Sequence, residues 1–392
     1  MRAGDAVSLL VIVACAVLAP LLCEVVRFVR VPSVLFELLL GVIVGPAVLG
    51  WAQLDPFVEG LSALGLSVLF FVAGYELDLQ RLRGRPLRLA GASWGLTLLL
   101  AAAAGVTLAS TGYVRSSLLV GLALTTTALG TLLPMLSDRG VLGTEFGRHV
   151  SAAGAIGEFG PVVAVTLLLG SSQPAAEAAL LFVFVVITVV VAALAARPQP
   201  PGLLAILQRH LTTTSQLPVR VLMLLIVAMV AVASVLGLDT LLGAFAAGLI
   251  ARRALRPEQV RTLQPRIEAV SFGFLIPVFF VVSGMKFDVT ALLEDPGNLL
   301  RMGLFLVLLL VVRGLPALLV YRGLLPLAHR GALGLLQATA LPLIVVITEI
   351  GVSTGQMQAV TAVALVGAGM CSVLLFPLVG FAFLDRGGPL DE

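Results

Sequence analysis

Long apolar runs are the feature of this sequence that most restricts its fold. Each run is long enough to cross a bilayer core as a helix, which takes about 20 residues. Short polar segments separate them, and 11% of the 392 residues are charged, against about a quarter in a soluble domain. The sequence therefore predicts an all-α polytopic membrane protein with about 13 transmembrane helices. The predicted spans are 7–26, 31–50, 58–77, 86–110, 115–137, 147–170, 177–196, 217–237, 239–255, 267–285, 299–321, 331–353 and 357–384.

The composition also excludes several classes of protein. With 59% hydrophobic residues, the chain is neither water-soluble nor disordered, and a net charge of +3 does not make it a nucleic-acid binder. All three cysteines lie in apolar runs, which excludes a disulfide framework. The three histidines fall in separate loops without metal-ligand spacing. We expect neither enzyme activity nor a cofactor.

The basic residues predict how the chain lies in the membrane. Of the 24 Lys and Arg residues, 19 fall in alternate loops that would share one side. Because cytoplasmic loops carry the excess of basic residues, the N-terminus is expected outside and the C-terminus in the cytoplasm, in a bacterial inner membrane. Span 7–26 lacks a small-residue cleavage site, so we interpret it as a retained helix. The polar stretch 197–216 is interpreted as a linker between two halves.

The two halves resemble each other at an offset of about 208 residues. LSVLFFVAGYELDL (66–79) matches LIPVFFVVSGMKFDV (275–289), and TLLP (131–134) matches TALP (339–342). Chance similarity of Leu/Val-rich helices would not readily keep Gly, Asp and Pro in register. The matched spans lie seven apart, which reverses their direction through the membrane. A single transmembrane domain, 1–392, is therefore predicted to contain inverted repeats 31–196 and 217–384, an arrangement typical of secondary transporters.

Two predicted spans look interrupted. Pro134 follows TTTALGTLL in span 115–137, and Pro342 follows QATAL in span 331–353. Proline removes a backbone donor, and the carbonyls released at such a break need new partners, such as a cation or facing polar groups. A simple kink is the alternative for either proline alone. Because the two are related by the repeat, we expect two discontinuous helices that cross near the midplane.

Two charged residues lie deep in predicted spans, where such residues are expensive and mark functional sites. Glu158 is about 11 residues, or about 16 Å, into its helix. It stands in GAIGEFGP (154–161), whose Gly157, Gly160 and Pro161 are expected to loosen the helix and leave room for a cation. A carboxylate merely paired with a neighbouring helix is the alternative. Arg313 is expected to be a fixed positive charge that balances Glu158 and the half-helix ends, because arginine keeps its proton. Glu349 and Glu37 are secondary candidates.

At these residues the chain resembles the cation:proton antiporter-2 family, which has the fold of NhaA-type sodium/proton antiporters. VPSVLFELLLGVIVGP (31–46) is similar to the family's Pro–Glu–Gly–Gly–Pro segment, and TTTA (125–128) stands at its first broken helix. Glu158 follows GR (147–148) at the spacing of the family's essential aspartate, and Arg313 matches its embedded Lys or Arg. The resemblance covers essentially the whole chain and implies a homodimer. Two departures are Gly157, where the family has a polar residue, and the expected absence of a regulatory C-terminal domain.

The leading hypothesis is exchange of a monovalent cation, Na⁺ or K⁺, for protons by alternating access. Glu158 would hold either a proton or the metal cation, with oxygen ligands from Thr125, Thr126, Thr127 and nearby carbonyls. A single carboxylate predicts electroneutral exchange. The alternative is a sodium-coupled transporter of a small organic substrate with the same fold. The sequence leaves the choice between sodium, potassium and lithium open.

Overall fold

A computed structural model of the chain describes residues 3–25, 32–76, 84–169, 174–196, 216–238, 240–255, 257–287, 289–293 and 295–388. These residues form helices and no β-strand. The helices are α1 Ala3–Val25, α2 Ser33–Val44, α3 Pro56–Glu76, α4 Arg85–Ser110, α5 Ser117–Leu124, α6 Leu129–Asp138, α7 Glu145–Leu169, α8 Pro174–Ala195, α9 Leu217–Val235, α10 Thr240–Ala254, α11 Pro257–Val270, α12 Ile276–Met285, α13 Val289–Leu293, α14 Pro296–Leu309, α15 Leu315–Val320, α16 Leu327–Ala338, α17 Pro342–Ser353 and α18 Ala359–Arg386.

The all-helical membrane fold predicted from the sequence is confirmed. In the described part of the chain, eight helical stretches are long and apolar enough to span a membrane, and shorter apolar helices accompany them. Each of the 13 predicted spans overlaps at least one helix. Two spans also contain a π-helical turn that the sequence did not predict. Ser271–Leu275 joins α11 to α12, and Leu310–Gly314 joins α14 to α15.

Local capping signals set several helix starts. The Asp55 carboxylate accepts hydrogen bonds from the N–H groups of Phe57 and Val58, both at 2.9 Å, at the start of α3. Ser116 caps α5 through the Leu119 N–H, and Asp295 caps α14 through the Gly297 N–H. Each cap satisfies a donor that the first turn of a helix leaves unpaired. Such satisfaction is essential in lipid, where water cannot take the place of the partner.

The described helices form two compact units. Unit 1 comprises Met1–Asp5, Leu54–Asp78 and Thr166–Phe280. Unit 2 comprises Ala6–Gln53, Leu79–Val165 and Val281–Glu392. Each unit takes segments from both predicted repeats. Of the predicted linker 197–216, residues 197–215 lie outside the described part of the chain, and so do Asp78 and Asp288 of the repeat match.

In unit 1, α10 is the central helix and packs against α3, α8 and α9. The close approach depends on glycine. A Cβ atom on Gly74 would collide with the carbonyl oxygen of Phe245, and one on Gly248 with that of Phe71. Small residues that let helix backbones touch are typical of membrane-helix packing.

In unit 2, α18 packs against α14, α16 and α17, and α4 packs against α5. Glycines again allow backbone contact, because a Cβ atom on Gly41 of α2 would lie 3.1 Å from the Cα atom of Gly284. A buried apolar cluster joins α6, α7, α15, α16 and α18. Its members include Leu132, Leu136, Phe146, Val150, Ala317, Tyr321, Leu333, Leu336, Phe381 and Leu384.

Both predicted interruptions occur, and both lie in unit 2. Helix α5 ends at Leu124 and α6 begins at Leu129, while α16 ends at Ala338 and α17 begins at Pro342. Pro342 therefore opens a half-helix, where its missing N–H costs nothing. Pro134, by contrast, lies inside α6 and does not mark the first interruption, which corrects the place predicted for the break.

Threonine side chains accompany the end of α5. The Thr125 hydroxyl donates to the Leu122 carbonyl at 2.7 Å, and the Thr126 hydroxyl donates to the Ala123 carbonyl at 2.8 Å. The same two carbonyls also accept backbone N–H groups, Leu122 from Thr125 at 3.0 Å and Ala123 from Thr126 at 3.4 Å, so side chain and backbone together close the last turn. The first helix therefore stops at the threonine run, ahead of the proline.

Candidate functional site

The two interrupted helices are joined to each other at their breaks. The N–H of Ala128 donates to the carbonyl of Thr339 at 2.7 Å, and the Thr127 hydroxyl donates to the carbonyl of Gln337. We call the segments 125–128 and 337–341 together the crossing. The prediction of two discontinuous helices that cross is thereby confirmed.

Neighbouring helices of unit 2 satisfy further backbone groups of the crossing. The N–H of Thr127 donates to the carbonyl of Gly157 on α7 at 3.0 Å. The Ser372 hydroxyl on α18 accepts from the N–H of Ala340 and lies 3.0 Å from the Ala340 carbonyl. Unpaired backbone groups cost several kcal/mol in hydrocarbon, so these bonds are what permits irregular backbone at this depth.

Arg313 is buried beside the crossing and is 1% exposed. Its Nε atom donates to the Thr127 hydroxyl at 3.1 Å and to the Gln337 carbonyl at 3.2 Å. Its Nη2 atom donates to the Thr127 hydroxyl and to the Ala153 carbonyl, the latter at 3.3 Å. Within the described part of the chain, these hydrogen bonds all go to neutral oxygens. Arg313 therefore places its charge on the carbonyl end of a half-helix, where a cation is favourable.

Gln337 is the residue of this site that sequence reasoning missed. Its side-chain amide donates to the main-chain carbonyl of Arg313, which lies in a π-helical turn. Its own main-chain carbonyl accepts from Arg313 and from Thr127. The only signal in the sequence was its position: a glutamine inside an apolar span, two residues before Thr339 of the repeated segment TALP.

The structure corrects the role expected for the glycines around Glu158. A Cβ atom on Gly157 would collide with Nη2 of Arg313 and would lie 2.5 Å from the Thr127 hydroxyl oxygen. A Cβ atom on Gly160 would collide with the Trp94 ring. These glycines accommodate packed side chains, which argues against open space for a cation there. Helix α7 runs continuously from Glu145 to Leu169 through Pro161.

Glu158 and the threonine run occupy the interior of unit 2. Glu158 on α7 is 4% exposed, and Thr125, Thr126 and Thr127 are buried to at least the same degree. The Thr125 and Thr126 hydroxyls donate within their own helix. A hydroxyl that donates its hydrogen keeps lone pairs that can face a cation. The Thr127 hydroxyl is engaged with Gln337 and Arg313, which makes it a structural contact of the crossing.

The two secondary candidates lie elsewhere in unit 2. Glu349 on α17 is exposed, and one of its carboxylate oxygens lies 2.6 Å from Nζ of Lys286. Glu37 on α2 is 4% exposed, one turn before the glycine contact with α12. Their predicted parts in transport remain predictions.

Fold and site together define a multi-pass helical membrane protein of the transporter type. Two broken helices cross beside a buried carboxylate and a buried cationic side chain, which is how secondary transporters build midplane sites. Residues 13–386 match the family described as sodium/hydrogen exchanger, transmembrane. The chain therefore belongs to the sodium/hydrogen exchanger family, and the resemblance drawn from its motifs is confirmed.

Individual proteins agree with this assignment. The putative Na⁺/H⁺ antiporter YjbQ of Bacillus subtilis is 27% identical over 331 residues, which are 79% of this chain and 52% of that protein. The Na⁺/H⁺-K⁺ antiporter GerN of Bacillus cereus is 26% identical over 65% of each chain. The chain thus spans about half the length of the Bacillus subtilis relative.

A solved structure shows the same fold. The sodium proton antiporter MjNhaP1 of Methanocaldococcus jannaschii superposes with a TM-score of 0.66 and 18% identity. The match covers 96% of this chain and 98% of that one.

Proposed function

We propose that this chain is a secondary active transporter that exchanges a monovalent cation for protons by alternating access. The observation that carries the proposal is the buried carboxylate of Glu158, on a continuous helix whose backbone also anchors the crossing. The names of the relatives above support Na⁺ or K⁺ as the cation. In this proposal the protein transports only protons and monovalent cations, and no cofactor takes part.

In this mechanism Glu158 alternates between two neutral states. A buried carboxylate is costly to leave uncompensated, so it holds either a proton or a metal cation. The two ligands compete for the same oxygens and cannot occupy them together. Hydroxyl oxygens of Thr125 and Thr126 would complete the shell around the metal cation. Thr127 contributes structurally, because its oxygen already faces Arg313.

Arg313 does not take part as a proton carrier. Its guanidinium keeps its proton at accessible pH. Its hydrogen bonds also hold it on the Thr127 hydroxyl and the Gln337 carbonyl. One titrating group therefore carries one proton one way and one cation the other, which makes the exchange electroneutral.

Placement and assembly form part of the proposal. The bias of basic residues supports a bacterial inner-membrane location with the N-terminus outside and the C-terminus in the cytoplasm. The family resemblance supports a homodimer in the bilayer. Labelling of single cysteines introduced near each terminus, and cross-linking in membranes, test these two statements.

The central test is Glu158→Gln in proteoliposomes that contain a pH-sensitive dye. The variant keeps the size of the side chain and removes its titrating charge, so exchange of Na⁺ or K⁺ for protons should be abolished in a folded protein. Glu145→Gln is the matched control, because Glu145 is an exposed carboxylate on the same helix. Wild-type exchange in Glu158→Gln would refute the assignment. Flux that requires an organic acid would favour the alternative transporter.

A further inference from the structure

Two hydroxyl side chains on α4, those of Ser93 and Thr97, are buried without a hydrogen-bond partner in the described part of the chain. Ser93 is 1% exposed and Thr97 is fully buried. A hydroxyl inside a helix can donate to a carbonyl of the preceding turn. Thr107 on the same helix does so, to the Ala103 carbonyl at 2.8 Å. Because Ser93 and Thr97 do not make this bond, their hydroxyls remain available for a ligand.

Both residues lie on the face of α4 that packs along α5. They belong to its stripe of buried positions, which continues to Ala101 and Gly105. A Cβ atom on Gly105 would collide with the carbonyl oxygen of the first residue of α5, and one on Gly121 would lie 3.2 Å from the Ala101 carbonyl oxygen. The two helices therefore run antiparallel. One further turn along both helices brings Thr97 level with Thr125, where the crossing begins.

Contacts with α7 place the same stretch of α4 at the depth of Glu158. A Cβ atom on Gly160 would collide with the Trp94 ring, and one on Gly91 would lie 4.0 Å from Cδ1 of Ile156. Glu158 stands between these two positions of α7. The indole Nε1 of Trp94 is buried and is also unpaired among the described residues. The stretch 93–97 thus carries three unpaired polar atoms at the depth of the carboxylate.

The three unpaired atoms have a chemistry that suits a hydrated cation. An unpaired polar group is destabilising in a membrane interior, and buried polar groups are nearly always bound to protein or to ordered water. The hydroxyl oxygens of Ser93 and Thr97 keep lone pairs that can face a cation or accept from its water. The Trp94 N–H group is a donor only and suits a water molecule. Together they fit a monovalent cation that keeps part of its hydration shell.

Helix α7 cannot surround the cation by itself. Between residues 152 and 165, Glu158 carries the only polar side chain. The Thr127 hydroxyl of the crossing is already engaged with Gln337 and Arg313. A cation bound at Glu158 therefore needs oxygen ligands from other helices, and the unpaired hydroxyls of α4 lie at the right depth.

We propose that Ser93 and Thr97 form a subsite for the hydrated monovalent cation, in which their hydroxyl oxygens bind the cation or the water that it carries. The inference rests on the proposed exchange at Glu158 and adds two residues on another helix to that site. A bound structural water without any cation is the competing explanation, and the dependence on cation concentration decides between the two.

Trp94 provides a direct reporter of the subsite. The chain has two tryptophans, and Trp51→Phe removes the other, which is 62% exposed. Addition of Na⁺ to the purified Trp51→Phe protein should change the emission of Trp94, whereas choline at the same ionic strength should not. In Thr97→Val the midpoint Na⁺ concentration should rise about tenfold, which corresponds to about 1.4 kcal/mol and is within the range for the loss of one hydrogen bond. Ser93→Ala should raise it as well, and an unchanged midpoint in both variants would overturn the proposal.

Two control variants separate the hydroxyl from the packing around it. Thr348→Val is the matched control, because Thr348 is 4% exposed but its hydroxyl donates to the Val345 carbonyl of its own helix, at 2.9 Å. This variant should keep the wild-type midpoint. Thr97→Ser keeps the hydroxyl and loses a methyl group, so it should also keep the midpoint even where its melting temperature falls. A midpoint in Thr97→Ser as high as in Thr97→Val would show that the methyl group matters and would refute the role of the hydroxyl.

Melting temperatures give an independent measurement. Valine at 97 replaces an unpaired hydroxyl by a methyl group of the same shape, so Thr97→Val should melt at a higher temperature than the wild type in choline chloride. The further stabilisation that bound Na⁺ gives should be smaller than in the wild type. Thr348→Val loses a bond that is made, so it should melt lower and respond to Na⁺ normally. If Thr97→Val responds to Na⁺ like the wild type, the hydroxyls hold structural water only and the proposal fails.

Failure of the subsite and failure of the proposed function give different results. If Glu158→Gln abolishes exchange while Thr97→Val keeps the wild-type midpoint and KM for Na⁺, the function stands and the subsite fails. If Glu158→Gln exchanges like the wild type while Thr97→Val shifts the midpoint, the assignment of Glu158 fails and the α4 hydroxyls bind the cation without it. A wild-type protein that neither exchanges cations nor responds to Na⁺ or K⁺ would overturn both.

Discussion

Replacing Thr127 by valine tests whether the crossing is a major source of stability in this protein. The valine side chain has nearly the same shape, but it lacks the hydroxyl that donates to the Gln337 carbonyl and accepts from Arg313. A neutral hydrogen bond contributes about 1 kcal/mol and one to a charged group about 1.5–3 kcal/mol. Because Arg313 retains the Gln337 and Ala153 carbonyls, we expect a loss of about 2–4 kcal/mol in the free energy of unfolding.

Thr126→Val is the matched control for this experiment. Thr126 is equally buried and lies one residue away, but its hydroxyl donates only to the Ala123 carbonyl of its own helix. Its loss should cost about 1 kcal/mol or less, in line with bonds between polar side chains in membrane helices. Reversible unfolding in mixed detergent micelles, followed by circular dichroism, measures both variants. Equal losses for the two variants would show that the long-range contacts of Thr127 contribute no more to the free energy of unfolding than the local bond of Thr126.

Three further predictions follow from the site and its surroundings. Arg313→Ala should lower the free energy of unfolding by about 3 kcal/mol or more and shift the pH profile of transport. Arg313→Lys should be tolerated better, because it keeps the charge. An unchanged melting temperature and pH profile in Arg313→Ala would show that Arg313 has no part in stability or transport. Exchange by proteoliposomes clamped at 0 and −100 mV should proceed at the same rate, because a cycle that moved one net charge would gain about 2.3 kcal/mol per 100 mV. A transport current would instead indicate a second proton carrier, for which Glu37 and Glu349 are the first variants to make. Lys286→Ala should cost at most about 1 kcal/mol, since its pair with Glu349 is partly exposed, and a larger loss in thermal unfolding would contradict this.

The features that the sequence predicted are those set by local pattern. The spans follow from runs of apolar residues, and the pair of interrupted helices follows from two matching segments, TLLP and TALP, in opposite halves. The depth of Glu158 in its helix follows from counting residues, and the structure places that residue in the interior of unit 2. The family also followed from short motifs in a fixed order.

The features that the sequence did not predict depend on contacts between distant parts of the chain. The first break lies at Thr125–Ala128 and not at Pro134, because carbonyls of Gly157 and Thr339 accept the N–H groups of Thr127 and Ala128 there. Gln337 has no local mark of function and gains its role from Arg313, 24 residues away. Gly157 looked like space for a cation until the structure filled that space with the guanidinium. The place of the first break and the roles of Gln337 and Gly157 all depend on tertiary packing, which a local sequence pattern does not reveal.

The bonds between the two interruptions also constrain how the protein is made. Thr127 and its partner Gln337 are separated by 210 residues, so the first break is synthesised long before the segment that satisfies it. At translation rates of about 5–20 residues per second, this interval is roughly 10–40 s. During that time the N–H of Ala128 has no Thr339 carbonyl to bind. The first half of the chain must therefore remain in the membrane, or at the insertion machinery, while backbone groups of its interrupted helix lack their final partners. Membrane-inserted chains truncated before Gln337 should therefore be far less resistant to proteolysis than the full chain.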